Sequence, residues 1–210
     1  MTVGRILHSD DDIAEGAACL ARVESRFGRV WAVTGAWPLR RRDAGFATLL
    51  HSIIGQQVSV ASAGALWDRV IAAGLDDPAR LAAADDAAMR ACGFSRPKAR
   101  YARALALSGF DFDALCHQPD DVVIAQLQTL LGIGRWTAEI YAGFALGRAD
   151  VIPAGDLALQ EAARRLFDLP ARPSDAQLRA LAQPWSPWRG VAARGLWAYY
   201  QHETFREGIR

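Results

Sequence analysis

The sequence is poor in the features that mark metalloproteins, membrane proteins and secreted proteins. Its 210 residues include only three cysteines, Cys19, Cys92 and Cys116, which lack the close ligand spacing of a zinc or iron–sulfur site. We expect each to be a buried, reduced thiol, which fits the cytosol. No apolar run approaches the ~20 residues of a membrane span, and residues 1–12 show no signal-peptide pattern. The expected location is cytoplasmic, on the nucleoid in a bacterium.

The positive and negative charges nearly cancel. There are 24 basic and 23 acidic residues, for a formal net charge of +1. Lys98 is the only lysine, so almost all of the positive charge is arginine. Arginine suits bidentate contacts with phosphate, although a GC-rich genome is the more common cause of such an imbalance. Global charge therefore does not indicate a nucleic-acid partner, and only its local distribution is informative.

Helical periodicity dominates a chain that is long enough for one large domain or two small lobes. Hydrophobic residues make up 51% of the positions, and no stretch shows a convincing strand alternation, so the sequence predicts an all-α fold. The first helix is predicted from Ser9 or Asp10 to about Phe27, with Gly28 ending it and an irregular aromatic segment at 30–38. Further helices are predicted from residue 43, at about 78–83 and 85–92, and after Ser95, Asp120, Asp156, Ser174 and Pro187.

A glycine-bracketed turn, Gly132-Ile133-Gly134, lies between two predicted helices and gives a helix-hairpin-helix layout. Such a turn leaves backbone N–H groups at the start of the second helix, and glycine lets a phosphate approach them closely. The outward carbonyls of the turn could also hold a monovalent cation. The pattern therefore predicts an anion-binding hairpin.

Asp156 follows a Pro-Ala-Gly loop and immediately precedes the next helical stripe. Aspartate is a favoured N-cap, and that structural role alone would explain the residue. A carboxylate next to a bound nucleotide could also stabilise positive charge on a sugar or activate water, and both are ways to break a glycosidic bond. The residues by themselves leave the two interpretations open.

A break at Gly55-Gln56-Gln57 interrupts a long apolar helical pattern. One interpretation is a joint between two helices, with Gly55 as the C-cap of the first. The other is a loop tip whose glutamine amides bind base edges, or fill the space left by an extruded base. The sequence does not decide between a structural and a DNA-reading role for these glutamines.

Residues 95–103 form the strongest local basic patch, with four positive charges and no negative one. Ser95 as N-cap and Pro97 in the first turn predict that a helix begins there. Its charges, Arg96 and Lys98 among them, either form an ordinary solvated helix face or contact a DNA backbone. The second interpretation makes this segment a candidate DNA contact.

Several blocks together resemble the 3-methyladenine DNA glycosylase II family of helix-hairpin-helix DNA glycosylases, over roughly residues 43–200. The combination of blocks is specific, although no single block is. The blocks are Ile53-Ile54-Gly55-Gln56-Gln57-Val58-Ser59, Gly93-Phe94-Ser95-Arg96-Pro97-Lys98-Ala99, Leu130-Leu131-Gly132-Ile133-Gly134-Arg135-Trp136-Thr137-Ala138, Pro153-Ala154-Gly155-Asp156, Trp185-Ser186-Pro187-Trp188-Arg189 and Leu196-Trp197-Ala198-Tyr199-Tyr200.

This resemblance implies an all-α fold of two lobes with DNA in the cleft between them. One lobe would comprise 1–42 with about 155–210, and the other 43–154, including the helix-hairpin-helix at about 120–147. It implies a monomeric, monofunctional glycosylase that flips an alkylated purine out of double-stranded DNA and hydrolyses its glycosidic bond in base excision repair. The candidate bases are 3-methyladenine, 7-methylguanine, ethenoadenine and hypoxanthine. A non-catalytic helix-hairpin-helix DNA-binding protein is the alternative.

The same resemblance implies roles for individual residues. Asp156 would be the catalytic carboxylate. The base pocket would be lined by Trp136, Ile140, Leu157 and Trp197. Contacts with DNA would come from Gln56, Gln57, Arg96, Lys98, Gly132, Gly134, Arg135 and Thr137. No cofactor is expected to be required and no iron–sulfur cluster is expected, but a hairpin sodium or potassium ion could be held by the backbone carbonyls of Gln128, Leu130 and Ile133.

The departures from the family pattern also carry predictions. Trp136 stands where related bifunctional glycosylases have a Schiff-base lysine, and Lys98 lies in another block, so we expect base removal by water rather than by an amine. Only about 40 residues precede the matching region, so the β-rich N-terminal domain of longer members is expected to be missing. Ile140 and Leu157 replace aromatic residues of some members, which leaves the range of bases open.

Overall fold

The computed structural model describes residues 3–206, and throughout that range the regular structure is helical. The only bridge of β type there is an isolated antiparallel pair between Ile6 and Arg148. The α-helices are α1 Asp10–Val23, α2 Ser25–Thr34, α3 Phe46–Gly55, α4 Val60–Ala72, α5 Pro78–Ala83, α6 Asp86–Cys92, α7 Arg96–Leu107, α8 Asp120–Leu127, α9 Arg135–Phe144, α10 Leu157–Leu166, α11 Asp175–Leu181 and α12 Arg189–Arg206. Two 3-10 turns cover Ala114–His117 and Gln183–Trp185. The predicted all-α fold is confirmed.

The first predicted helix is in fact two helices. Glu24 has an extended backbone (φ −144°, ψ 102°) that ends α1, and its side chain caps α2 by accepting from the N–H of Arg26 at 3.1 Å. Gly28, the predicted terminator, therefore lies inside α2, and most of the supposed irregular aromatic segment is helical. The predicted start is confirmed, because Ser9 and Asp12 form a reciprocal capping box.

The chain divides into two compact units. Unit 1 consists of Met1–Arg41 with Ala142–Arg210, and unit 2 of Arg42–Tyr141. The second crossing between them lies inside α9, whereas the sequence placed it near residue 154. Asp156 therefore belongs to unit 1 and the glycine turn to unit 2.

The core of unit 1 is rich in large aromatic side chains. Phe27 packs edge-on against Trp185 with ring centroids 5.0 Å apart, and Phe167 stacks on Trp185 at 5.7 Å. Such pairs add to the stabilisation that comes from burying their large apolar area. The C-terminal helix α12 packs against α1, α2 and α10, and Gly195 lets it approach closely, because a Cβ there would come within 2.7 Å of the Trp37 ring.

Unit 2 is organised around α3, which buries Leu49, Leu50, Ile53 and Ile54 completely. The hydroxyl of Tyr141 accepts a hydrogen bond from the N–H of Gly45 at 2.7 Å and so fixes the start of α3. Burial raises the pKa of Tyr141 to about 12, which keeps the phenol neutral at physiological pH.

None of the three cysteines is in a disulfide bond, but their environments differ from the prediction. Cys92 is buried, Cys19 is half-buried and Cys116 is exposed, so the expectation of three buried thiols is confirmed for Cys92 and wrong for Cys19 and Cys116. Between residues 3 and 206, no three His, Cys, Asp or Glu side chains come together in a way that could hold a metal ion. Over the same range no helix has both the length and the apolar character of a membrane span.

Candidate functional site

The hairpin of unit 2 is a tight turn that only glycine can make at its apex. Gly132 has a φ of +85°, and a Cβ at this position would lie 2.5 Å from the ring of Tyr101. The N–H of Ile133 donates to the carbonyl of Leu130 at 3.1 Å, which closes the turn. Gly134 is exposed and immediately precedes α9. The start of α9 is therefore presented to solvent, and a helix N-terminus in this position is able to bind an anion.

The two glutamines of the α3–α4 loop have different surroundings. Gln56 is half-buried, and its side-chain amide donates to the carbonyl of Gly132 at 3.0 Å, which ties the loop to the hairpin. Gln57 is exposed and has a φ of +56°, an uncommon conformation for a residue with a side chain. Gly55 is the last residue of α3 rather than a left-handed C-cap. The break is thus a real loop whose tip is Gln57.

The first turn of α9 divides its side chains between solvent and core. Trp136 is 41% exposed, whereas Thr137 is only 4% exposed. Arg135 forms an ion pair with the buried carboxylate of Glu139 at 2.9 Å. Ile140 is half-buried. A contact between Thr137 and a phosphate would therefore have to come from its backbone N–H.

Residues 95–103 comprise the N-cap of α7 and its first eight residues, and the basic side chains there divide into two groups. Lys98 points inward and donates to the carbonyl of Ile54 in the last turn of α3, and burial lowers its pKa. Such a contact satisfies a carbonyl that the helix itself leaves unpaired. Arg96 is exposed. It lies on a surface groove that is lined by Asp86, Met89, Arg90, Phe94, Arg96, Ala99, Arg100 and Arg103.

Asp156 of unit 1 is the N-cap of α10. Its Oδ1 accepts from the backbone N–H of Ala158 at 2.9 Å and from that of Leu159 at 3.1 Å. The loop before Asp156 is tied to α10, because the buried side-chain amide of Gln160 donates to the carbonyl of Ala154 at 2.8 Å. The predicted N-cap is confirmed, and the carboxylate is held at the positive end of a helix dipole.

A third donor reaches the same oxygen from α12. The indole N–H of Trp197 donates to Oδ1 of Asp156 at 3.2 Å. Trp197 is half-buried, and its ring lies 5.6 Å from that of Phe144. Leu157, directly after the carboxylate, is 62% exposed. In unit 1 the structure therefore brings two of the predicted site residues, Asp156 and Trp197, into direct contact.

A comparison with protein-family models matches residues 50–187 to HhH-GPD, the superfamily of base excision DNA repair proteins. The chain belongs to this superfamily. The matched region covers the α3–α4 loop, α7, the hairpin and Asp156, so every site residue predicted from the sequence except Trp197 lies within it.

Individual HhH-GPD proteins are similar over most of the chain. The DNA-3-methyladenine glycosylase 2 of Escherichia coli is 32% identical over 189 residues, which is 83% of this chain and 64% of that protein. The DNA-3-methyladenine glycosylase 1 of Schizosaccharomyces pombe is 30% identical over 174 residues, 79% of this chain and 76% of that protein. The chain thus spans just under two thirds of the E. coli relative.

Solved HhH-GPD structures share the fold. A DNA-3-methyladenine glycosidase from Bacillus halodurans superposes with a TM-score of 0.79 at 31% identity, covering 97% of this chain and 94% of that one. The S. pombe 3-methyladenine DNA glycosylase in complex with abasic DNA superposes with a TM-score of 0.77 at 26% identity, covering 87% of this chain and 95% of that one.

Sequence reasoning assigned no site role to Arg194 and Phe144, which lie next to Trp197 in this HhH-GPD protein. Arg194 is only 3% exposed, and its guanidinium lies over the ring of Phe144, 4.7 Å from the centroid. It donates to the carbonyls of Leu39, Gly143 and Gly190 at 2.9 to 3.3 Å. Burial lowers its pKa to about 10. The one signal in the sequence was an arginine inside the otherwise apolar run 191–199.

Proposed function

We propose that this protein is a monofunctional DNA glycosylase that hydrolyses the glycosidic bond of alkylated purines in base excision repair. The observation that carries the proposal is Asp156, a carboxylate held by three N–H donors at the start of α10. Two of its relatives in the HhH-GPD superfamily are named as DNA-3-methyladenine glycosylases, which supports this class of substrate.

The chemistry asked of Asp156 is to stabilise an oxocarbenium-like sugar, to activate water, or both. A methylated purine such as 3-methyladenine or 7-methylguanine carries positive charge and leaves readily, so the site needs no strong general acid. Trp136 and Trp197 each offer an indole, which stacks favourably on a cationic base. Ile140 and Leu157 are further apolar side chains proposed to contact the base, and ethenoadenine and hypoxanthine are further candidate bases.

The DNA contacts follow from the surfaces of unit 2. The start of α9 at Gly134 would bind a backbone phosphate, with Arg135 and the N–H of Thr137 beside it. We assign the probing of the duplex to Gln57 rather than Gln56, because Gln56 is engaged with Gly132 and Gln57 is the exposed loop tip. An extruded base would leave a gap that such a side chain can fill.

A sodium or potassium ion at the hairpin is compatible with its carbonyls. The carbonyl of Leu130 accepts one hydrogen bond from Ile133, and a carbonyl oxygen has a second lone pair for an ion. Gln128 and Ile133 would supply the other carbonyls. The ion would stabilise the turn electrostatically where it meets a phosphate.

The absence of lyase chemistry is part of the proposal. Lys98, the only lysine, donates its ammonium to a carbonyl of α3 and is half-buried. An amine in that position is engaged in structure rather than offered to a sugar. We therefore expect attack by water, with no covalent protein–DNA intermediate.

A base-release assay tests the proposal. Duplexes that contain single alkylated purines are incubated with the wild-type protein and with Asp156→Asn, and both free base and strand breaks are measured. We expect base release without strand cleavage by the wild type, and loss of nearly all release by Asp156→Asn with duplex affinity kept. Retained binding with no release from any lesion would favour a non-catalytic DNA-binding protein, and a borohydride-trapped adduct would favour a lyase.

A further inference from the structure

A line of contacts in unit 1 leads from a buried cation to the carboxylate of Asp156. Arg194 lies under one face of Phe144, Phe144 packs against Trp197, and the indole N–H of Trp197 bonds Oδ1 of Asp156. These three side chains lie on the last turn of α9 and on α12, whereas the backbone donors to Asp156 belong to α10. Two independent parts of the unit therefore fix the same oxygen.

We propose that Trp197 is a positioning residue that orients the Asp156 carboxylate through its indole N–H, and that Phe144 and Arg194 hold the indole in place. The inference rests on the proposed glycosylase function and adds to it. With Oδ1 held by three donors, the plane of the carboxylate is fixed and so is the direction of its second oxygen, Oδ2. Electrostatic stabilisation of a developing cation depends on such preorganisation.

The surroundings of Trp197 explain why the indole itself cannot easily turn. Its neighbour Phe144 contacts both the indole and the guanidinium of Arg194, and a cation over an aromatic face is attractive. The cavity beside Trp197 has a volume of about 30 Å³ and is lined by Pro38, Arg40, Phe144, Arg194, Trp197, Ala198 and Gln201. This space accommodates a water molecule.

The burial of Arg194 costs free energy unless its guanidinium is hydrogen-bonded. A buried guanidinium loses its hydration and requires full compensation. Here the compensation comes from carbonyls of three separate segments, at Leu39, Gly143 and Gly190, together with the ring of Phe144. The cation therefore joins the end of α9 and the start of α12, the two helices that carry Phe144 and Trp197.

The test compares binding to two abasic-site analogues in otherwise identical duplexes. A pyrrolidine analogue carries positive charge where the oxocarbenium charge develops, and a tetrahydrofuran analogue is neutral. The ratio of the two dissociation constants measures how well the carboxylate meets a cation, and it is insensitive to general losses of DNA affinity. The matched control is Trp31→Phe, the same substitution at a tryptophan that packs against the core of the same unit beside Trp37.

We expect Trp197→Phe to lower the preference for the charged analogue by about tenfold, the effect of one hydrogen bond to a charged group. Affinity for the neutral analogue should change little, and Trp31→Phe should leave the preference unchanged. In an Asp156→Asn background, Trp197→Phe should have no further effect on the preference. Phe144→Leu should lower it in the wild type but not in Trp197→Phe.

Three results would overturn the inference. The first is that Trp197→Phe prefers the charged analogue as strongly as the wild type does, and the second is that Trp31→Phe loses as much of this preference as Trp197→Phe. The third is that Trp197→Phe lowers the preference by the same factor when Asp156 is already asparagine. The last result would mean that Trp197 acts on the ligand by stacking rather than through the carboxylate. Failure of the proposed function is distinguished separately, because it is read from base release by the wild-type protein alone.

Discussion

At the scale of single residues, the site depends on a few positions where no other side chain would serve. Gly132 combines a left-handed backbone with close contact to Tyr101. Asp156 combines two roles, since the carboxylate that caps α10 is also the one proposed to meet the sugar. The first role is visible in any aspartate before a helix, and the second needed the family and the contacts around Oδ1.

Gly132→Ala should be strongly disruptive for the hairpin. A side chain in the left-handed region costs roughly 1–2 kcal/mol, and the contact with the Tyr101 ring adds to it. We expect a loss of roughly 2 kcal/mol or more in the free energy of unfolding, measured by urea titration, together with weaker DNA binding. Gly134→Ala is the matched control, because a Cβ there meets no atom within 4 Å, and its unfolding free energy should change by less than about 0.5 kcal/mol.

Substitutions of Gln56 and Gln57 should have different effects, the first on stability and the second on activity. Gln56→Ala removes the hydrogen bond to Gly132 and should cost about 1 kcal/mol of stability. Gln57→Gly relieves the positive φ, so stability should stay the same or rise, while base release should become slower if the side chain has its proposed probing role. Thermal unfolding and single-turnover base release measure the two effects. Equal losses of activity with no difference in stability would contradict the division of roles.

At the scale of helices, capping decides where the elements begin and end. Glu24 ends α1 and starts α2, Ser9 and Asp12 close the first turn of α1, and Asp156 starts α10. These caps act within a few residues of sequence, and for that reason most of the helix boundaries could be predicted. The error at Gly28 has the same origin, since a glycine was read as a terminator when the decisive residue was Glu24.

Helix α10, which carries the Asp156 cap, should lose stability in acid through Glu161. Hydrogen bonding to Arg164 and Arg165 lowers the pKa of Glu161 from its ordinary 4.5 to about 2. A carboxyl with a lowered pKa stabilises the folded state above pH 4.5, and this contribution is lost as the pH falls toward 2. The difference in unfolding free energy between wild type and Glu161→Gln should therefore be constant near neutral pH and shrink below pH 4.5. A difference that stays constant down to pH 3 would contradict the role of this ion pair.

At the scale of the whole molecule, a net charge of +1 gives no general attraction to DNA. Binding must depend on where the arginines are concentrated. The α6–α7 groove carries four of them, of which Arg103 is paired with Asp86 at 2.8 Å. Arg96 and Arg100 have no acidic partner among residues 3–206, so they are the best placed in the groove to meet phosphates.

Arg96→Gln and Arg100→Gln should each reduce the salt dependence of duplex binding. Every phosphate contact that is lost lowers the slope of log K against log salt concentration by about 0.9 for duplex DNA. Arg29→Gln on α2 is the control, because it changes the net charge equally at an exposed position of unit 1. Fluorescence anisotropy between low and moderate salt gives the slopes. An unchanged slope in both groove variants would mean that α7 is an ordinary solvated helix face.

Local patterns in the sequence determined the helical class, most helix starts, the glycine turn and the position of Asp156 before α10. These features depend on residues within one or two helical turns of each other, so periodicity and capping rules reach them. Tertiary structure alone decided the contacts across long separations, such as Trp197 with Asp156, Gln56 with Gly132 and Lys98 with Ile54, which are 41, 76 and 44 residues apart. Arg194 bonds a carbonyl 155 residues away. Such partners are set by how the helices pack, and for that reason the support of the carboxylate could not be read from the chain alone.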